Sequence, residues 1–249
     1  MGIYLNYKIN TINMKSIIHK SDTRGHMNYG WLDTHYTFSF ANYYDPERIH
    51  FGALRVLNDD YIEGGQGFGK HPHDNMEIIT IPLEGELEHK DSMGNTFIIR
   101  KNDVQIMSAG TGIFHSEFNH LPDKPVKLFQ IWVFPEKKNI TPRYDQKTYN
   151  PENRRNQWQR IVSPHEKEAV IIKQDTYFSM INMDENTNQS YKFNNNSNGA
   201  YIFVIEGLIE IDDINLEKRD GIGIWETNEI TITAKNKSEI LLMEVPMMP

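Results

Sequence analysis

The sequence predicts an all-β protein made of two β-sandwich domains with a few short helices. Three observations predict it. Short apolar or alternating runs recur along the 249 residues, punctuated by Gly, Asn, Asp and Pro, a spacing typical of sandwiches and barrels. No long segment keeps a helical period, and residues 152–161 offer the best short helix. A pattern from the first half also returns, weakly, in the second.

In chain order, strands are expected over residues 35–40, 52–57, 76–83, 96–100, 104–107 and 128–134. Residues 91–95 (DSMGN) read as a hairpin turn in which Gly94 is free to take positive φ. Residues 135–156 are polar and rich in charge, Pro and Asn, which marks a connection. The expected organisation is a domain over 14–140, a linker over 141–156 and a second domain over 157–249. In the latter, strands are expected over 169–173, 177–183, 200–206, 208–211, 221–225, 230–234 and 240–245. The segment before Met14 has no pattern and reads as an upstream start or an arm.

The repeat supports two copies of one β-fold. IPLEGELE (81–88) is echoed by FVIEGLIE (203–210), and KNDVQIM (101–107) by KRDGIGIW (218–225), in the same order. Aligning Gly85 with Gly207 sets Phe193 and Asn195 opposite His71 and His73. Aligning Asp103 with Asp220 sets Ile232 and Ala234 opposite His115 and Glu117. The second copy therefore lacks these side chains, and the last histidine of the chain is His165.

Composition narrows the functional classes. A hydrophobic fraction of 38% with 24% charged residues suits a folded globular chain. A net charge of −8 argues against direct nucleic-acid binding, which needs a basic surface. The absence of cysteine excludes disulfides, thiolate metal sites and thiol nucleophiles, so any metal must sit on His, Asp, Glu or backbone oxygen. No apolar run approaches the roughly 20 residues that span a bilayer, and the first residues lack the apolar core of a signal peptide. A cytoplasmic protein without membrane contact is expected.

The chemistry concentrates in two segments, GQGFGKHPHDNMEIITIPLEG (65–85) and GTGIFHSEFN (110–119). His71 and His73 are two apart, so on a strand both imidazoles face the same way. His115 and Glu117 repeat that spacing, with Gly110 and Gly112 suggesting a tight turn before them. Two such strands can present three imidazoles and one carboxylate to a single divalent ion, with Zn–N or similar bonds of about 2.0–2.1 Å. Glu77, four beyond His73, is the alternative ligand or a supporting group. The remaining histidines show no such pairing: His89 reads as a polar strand end, His120 as a loop residue, and His19, His26, His35, His50 and His165 as isolated. Met107 and Phe114 read as packing residues.

The order G-x5-H-x-H followed by G-x2-H-x3-N, ending at Asn119, resembles the paired motif of the cupin superfamily. The stretches RGHMNYGWLDTHYTFSFANYYDPERIHFGALRVLNDD, HPHDNMEII, LEHKDSMGN and QIMSAGTGIFHSEFN resemble the pirin family within it, closest to bacterial pirin-like quercetinases. The likeness is dense from residue 17 to 143 and looser beyond. It implies a bicupin, two stacked jelly-roll domains with metal in the first alone, held by His71, His73, His115 and Glu117.

The resemblance implies a metal-dependent dioxygenase that opens a flavonol-type ring with O2, its substrate a small aromatic molecule and Glu117 the catalytic base. Fe(II) is the first expectation for the metal, with Ni, Co, Mn, Cu or Zn as alternatives, because imidazole and carboxylate select poorly among them. The competing reading is a non-catalytic, redox-sensing regulator that binds a protein partner through its metal-dependent surface.

Overall fold

The structure is a computed structural model and describes residues 14–248; the expected start or arm before Met14 lies outside the described residues. The first half supplies β1 (Lys15–His19), β2 (Gly25–Asn28), β3 (Leu32–Tyr36), β4 (Leu54–Ile62), β5 (Gly67–His73), β6 (Glu77–Glu84), β7 (Glu86–Asp91), β8 (Thr96–Arg100), β9 (Asp103–Ser108), β10 (Ile113–Asn119), β11 (Val126–Val133) and β12 (Arg143–Thr148). The second supplies β13 (Gln159–Ser163), β14 (Val170–Ile171), β15 (Tyr177–Met183), β16 (Asn188–Lys192), β17 (Asn198–Glu206), β18 (Leu208–Ile211), β19 (Ile214–Glu217), β20 (Gly221–Trp225), β21 (Glu229–Ala234) and β22 (Ser238–Pro246). The all-β bicupin holds.

Each domain is a seven-stranded sheet facing a four-stranded one. In the N-terminal domain the orders are β12-β9-β6-β11-β4-β3-β2 and β5-β10-β7-β8. In the C-terminal domain they are β1-β20-β17-β22-β15-β13-β14 and β16-β21-β18-β19. The two four-stranded orders correspond strand for strand, as the sequence repeat predicts. One shared detail is local. Asp103 accepts from the Arg100 amide (2.8 Å) and Asp220 from the Glu217 amide (2.9 Å), so both copies close the same turn. The residue before each aspartate, Asn102 or Arg219, sits at φ 71° or 68°.

The expected boundary needs correction. Residues 143–148, placed in the linker, form β12 against β9 of the N-terminal sheet. In the equivalent place of the C-terminal sheet, β20 is covered by β1 from the other end of the domain pair. Each seven-stranded sheet is thus completed by a segment outside its own repeat. Residues 152–161 are not a helix: Pro151–Arg154 is a single 3-10 turn, followed by β13.

The two seven-stranded sheets pack face to face over the largest apolar cluster. Ile79, Ile81, Phe129 and Ile131 meet Phe178, Phe203, Leu241 and Met243 there, with Phe129 edge-on to Phe203 at 5.4 Å. Each such buried side chain contributes about 1.5–3 kcal/mol. At its margin Asp59 accepts from Arg219 (2.8 Å) across the domains.

Candidate metal centre

The interiors of the two sandwiches differ. The C-terminal one is a single apolar cluster that includes Phe193, Ile232 and Ala234, three of the four residues that the sequence repeat sets opposite the histidines and glutamate of the first copy; the fourth, Asn195, is exposed. The N-terminal interior is split. Leu32, Ile62, Leu87, Ile99, Val126 and Leu128 form one cluster; Ile78, Met107, Ala109 and Ile113 form another. Strand register runs a polar row between them: Tyr36, Asn58, Gln130, Thr80, Gln105 and Gln146 are successive cross-strand partners. Directly opposed residues share a face, so this row faces the small sheet.

From that small sheet β10 answers the row. Its pattern alternates strictly, with Ile113, His115, Glu117 and Asn119 buried and Phe114 and Phe118 exposed. Gln130 donates to Glu117 Oε2 (2.8 Å), and Thr80 donates to Gln130 Oε1 (3.1 Å), so the carboxylate is tied across the sandwich. The turn before β10 requires Gly110: its φ is 50°, and a Cβ there would stand 2.0 Å from the Ile140 carbonyl oxygen.

β5 lies beside β10 with His71 opposite His115, but Phe68 opposite Glu117, so β5 carries one extra residue. This bulge brings Phe68 alongside His71, their ring centroids 6.5 Å apart. His71 Nδ1 donates to the Gly69 carbonyl (2.8 Å), which leaves Nε2 as its free acceptor. The rings of His71, His73 and His115 converge, with centroids 4.3–4.8 Å apart. One ligand nitrogen from each lies within 4.8 Å of the others. A second group with the same closeness is His89, His115 and Glu117, so His115 belongs to both groups.

Electrostatics keep His73 and His115 neutral near pH 7. Burial, then the neighbouring His115 and His71, lowers His73 to about 4. Burial, then His71 and His89, lowers His115 to about 3. His115 Nε2 is buried and has no hydrogen-bond partner.

His89 is the residue the sequence reading missed. It is fully buried, packs on Tyr144 at 5.0 Å, and lies directly across from Glu117 on β7. Its Nε2 donates to Asp91 Oδ2 (3.3 Å), and its Nδ1 meets His115 Nδ1. Burial alone would raise Asp91, but hydrogen bonds from Asn95, His89 and Met93 hold it below the usual aspartate range. The signal was present: Leu87, His89 and Asp91 share one face of a period-two strand whose Leu87 is core.

Glu77 is not brought to the cluster. A loop at 74–76 separates β5 from β6, and Glu77 instead accepts from Ser108 Oγ (2.8 Å) and the Lys173 amide (3.3 Å) at the domain seam. Asn119 braces the fold, donating to the carbonyls of Ile62, Glu63 and Lys124. Phe114 lies outside, with the Lys70 ammonium 5.3 Å from its ring centre. His26 and His35 are paired after all, stacked at 4.4 Å across β2 and β3 beside Asp33 on the exposed side.

Residues 18–133 match the pirin family model, and residues 160–245 match the model of the quercetinase C-terminal cupin domain. A quercetin 2,3-dioxygenase of Escherichia coli (strain K12) is 44% identical over 233 residues, covering 92% of this chain and 98% of that one. The chain belongs to the pirin family. A pirin-like protein of Caulobacter vibrioides is 36% identical to this pirin over 225 residues, covering 90% and 96% of the two chains. The crystal structure of bacterial pirin YhhW from E. coli, in complex with nickel(II), superposes with a TM-score of 0.88 at 41% identity, covering 93% of this pirin and 99% of that chain.

Proposed function

We propose that this pirin is a metal-dependent dioxygenase that opens a flavonol-type ring with O2, with one divalent ion on His71, His73, His115 and Glu117. The observation that carries the reading is His115 Nε2, a buried nitrogen with no partner, in a group that draws two further imidazoles within reach. Nitrogens about 2.1 Å from a common ion stand about 3–3.5 Å apart, so small side-chain shifts close the group on one ion. His73 and His115 are neutral near pH 7, the form that binds metal. Four protein donors leave open positions on a six-coordinate ion. Fe(II) suits such a set, and the nickel(II) in YhhW supports a divalent first-row ion, with Ni, Co, Mn, Cu and Zn as the alternatives.

The chemistry a bound ion supplies is Lewis-acid polarisation of a substrate hydroxyl and a template on which O2 and substrate meet. The protein's residues do the rest. Glu117 accepts the substrate's hydroxyl proton; Gln130 holds its Oε2 and leaves Oε1 for that proton. Trp132, edge-on to His73 at 4.9 Å, offers a flat wall for an aromatic substrate. The 44% identity to a quercetin 2,3-dioxygenase over nearly the whole chain supports the substrate class.

The test is O2 uptake with quercetin by the metal-loaded protein and by a folded His73→Ala variant. Uptake by the wild type alone is expected, and equal uptake by the variant would sink the mechanism. Bound metal without any uptake would favour the redox-sensing regulator with a protein partner.

A further inference from the structure

Beside the cluster the N-terminal sandwich opens into a recess of about 280 Å³, walled by Tyr29, Trp31, Leu32, Tyr36, Phe40 and Phe68. It adjoins the metal centre on two sides. Phe68 packs against His71, and Phe40 packs edge-on to Trp132 (5.2 Å), which in turn packs on His73. An apolar cavity of about 150 Å³ admits benzene, so the recess has room for a substituted phenyl ring.

Its floor is polar. Asn58 is 3% exposed, and its Oδ1 is buried without a partner. Asp60, 6% exposed, accepts the Thr34 hydroxyl at 2.5 Å. No cation stands within ion-pair distance of it among the described residues; the nearby Arg24 pairs with Asp59 instead. Burial raises Asp60 to about 7, against a weaker lowering by the Thr34 hydroxyl. An uncompensated carboxyl and an orphaned amide oxygen at the end of an aromatic slot are costly for the fold alone. A ligand hydroxyl that donates to the Asp60 carboxylate offsets the cost of burying it, and Asn58 lines the recess beside it.

We infer that this recess takes the pendant ring of an aromatic substrate and that Asp60, with Asn58, reads a phenolic hydroxyl on that ring. The inference rests on the aromatic-substrate reading above, and goes beyond it by assigning specificity to residues away from the metal. Asp60 is a recognition residue here and takes no part in the proton transfer assigned to Glu117.

The test measures binding without turnover. Anaerobic titrations of the metal-loaded protein, read by tryptophan fluorescence, compare 3,4′-dihydroxyflavone with 3-hydroxyflavone, which lacks the pendant hydroxyl. The wild type should prefer the former by at least about 10-fold, since a site built for a hydroxyl rejects the analogue without it. Asp60→Ala should remove that preference, weakening 3,4′-dihydroxyflavone more than 3-hydroxyflavone. Asp60→Asn, isosteric and still able to accept from Thr34, guards against a folding failure and should narrow the preference at least about threefold. A preference that survives in both variants, or is absent from the wild type, overturns the subsite. O2 uptake measured alongside separates the two ideas: discrimination without uptake overturns the dioxygenase and keeps the subsite, and uptake without discrimination does the reverse.

Discussion

His115 and His89 meet through their Nδ1 atoms, 3.5 Å apart, deep between the small sheet and the polar row. Asp91 fixes the direction of this contact. It accepts from His89 Nε2, which leaves His89 Nδ1 as an acceptor for the His115 Nδ1 proton. His115 Nε2 is then the bare lone pair, and it is the atom without a partner. Asp91 and His89 thus orient His115 in the tautomer a metal needs.

His89→Phe keeps the packing on Tyr144 but removes the acceptor. Metal affinity should fall about 10–100-fold, as when other supporting partners of a ligating histidine are lost. Chelator competition measures it, and unchanged affinity would refute the orienting role.

Glu117→Gln should leave the protein folded and able to bind metal, because Gln130 can still bond the side chain. Turnover should fall about 10²–10⁴-fold if the carboxylate is the base. O2 uptake, normalised to bound metal, checks this. Activity near wild type would move the proton acceptor elsewhere.

The metal-free protein should lose stability in acid. His73 and His115 have folded values of about 4 and 3 against 6.5 in the unfolded chain. Between those limits the unfolded state binds more protons, so stability is full above pH 6.5 and falls as pH drops toward 4 and below. Asp60 acts with the opposite sign. Its folded value of about 7 lies above the ordinary 3.8, so its contribution favours acid and is lost as pH rises from 3.8 to 7. Thermal melts from pH 5 to 8 should therefore be flatter for His73→Ala than for the wild type, and Asp60→Asn should gain stability mainly at the upper end. Parallel melting curves for all three proteins would contradict these assignments.

Removing residues 1–19 strips β1 from β20. It also deprives the buried Tyr201 hydroxyl of His19 Nδ1, 2.9 Å away. The melting temperature should drop by several degrees, since a loss of about 1 kcal/mol shifts a chain of this size by roughly 2–4 °C. The exposed edge should also promote association, visible by light scattering. A truncated chain that melts and elutes like the full one would show that β1 is dispensable.

The legible part of the structure is the part with local periodicity. His71 and His73, and His115 and Glu117, could be read because spacing of two means one strand face, and two copies of one β-fold emerged from two short repeats in matching order. The rest depends on register. His89 sits in ELEHKD, which looks polar until β10 is laid beside it. Glu77 left the expected face because the chain turns between β5 and β6. β1 and β12 are short edge strands with weak alternation, so their exchange between sheets left no pattern to read.

The most direct test of the metal centre is a crystal structure of the metal-loaded protein with anomalous diffraction at the edge of the metal found in it. The account predicts one peak per chain, bonded by the imidazoles of His71, His73 and His115 and by the Glu117 carboxylate, with none in the C-terminal domain. A peak elsewhere, or one at these imidazoles that excludes Glu117, would contradict it.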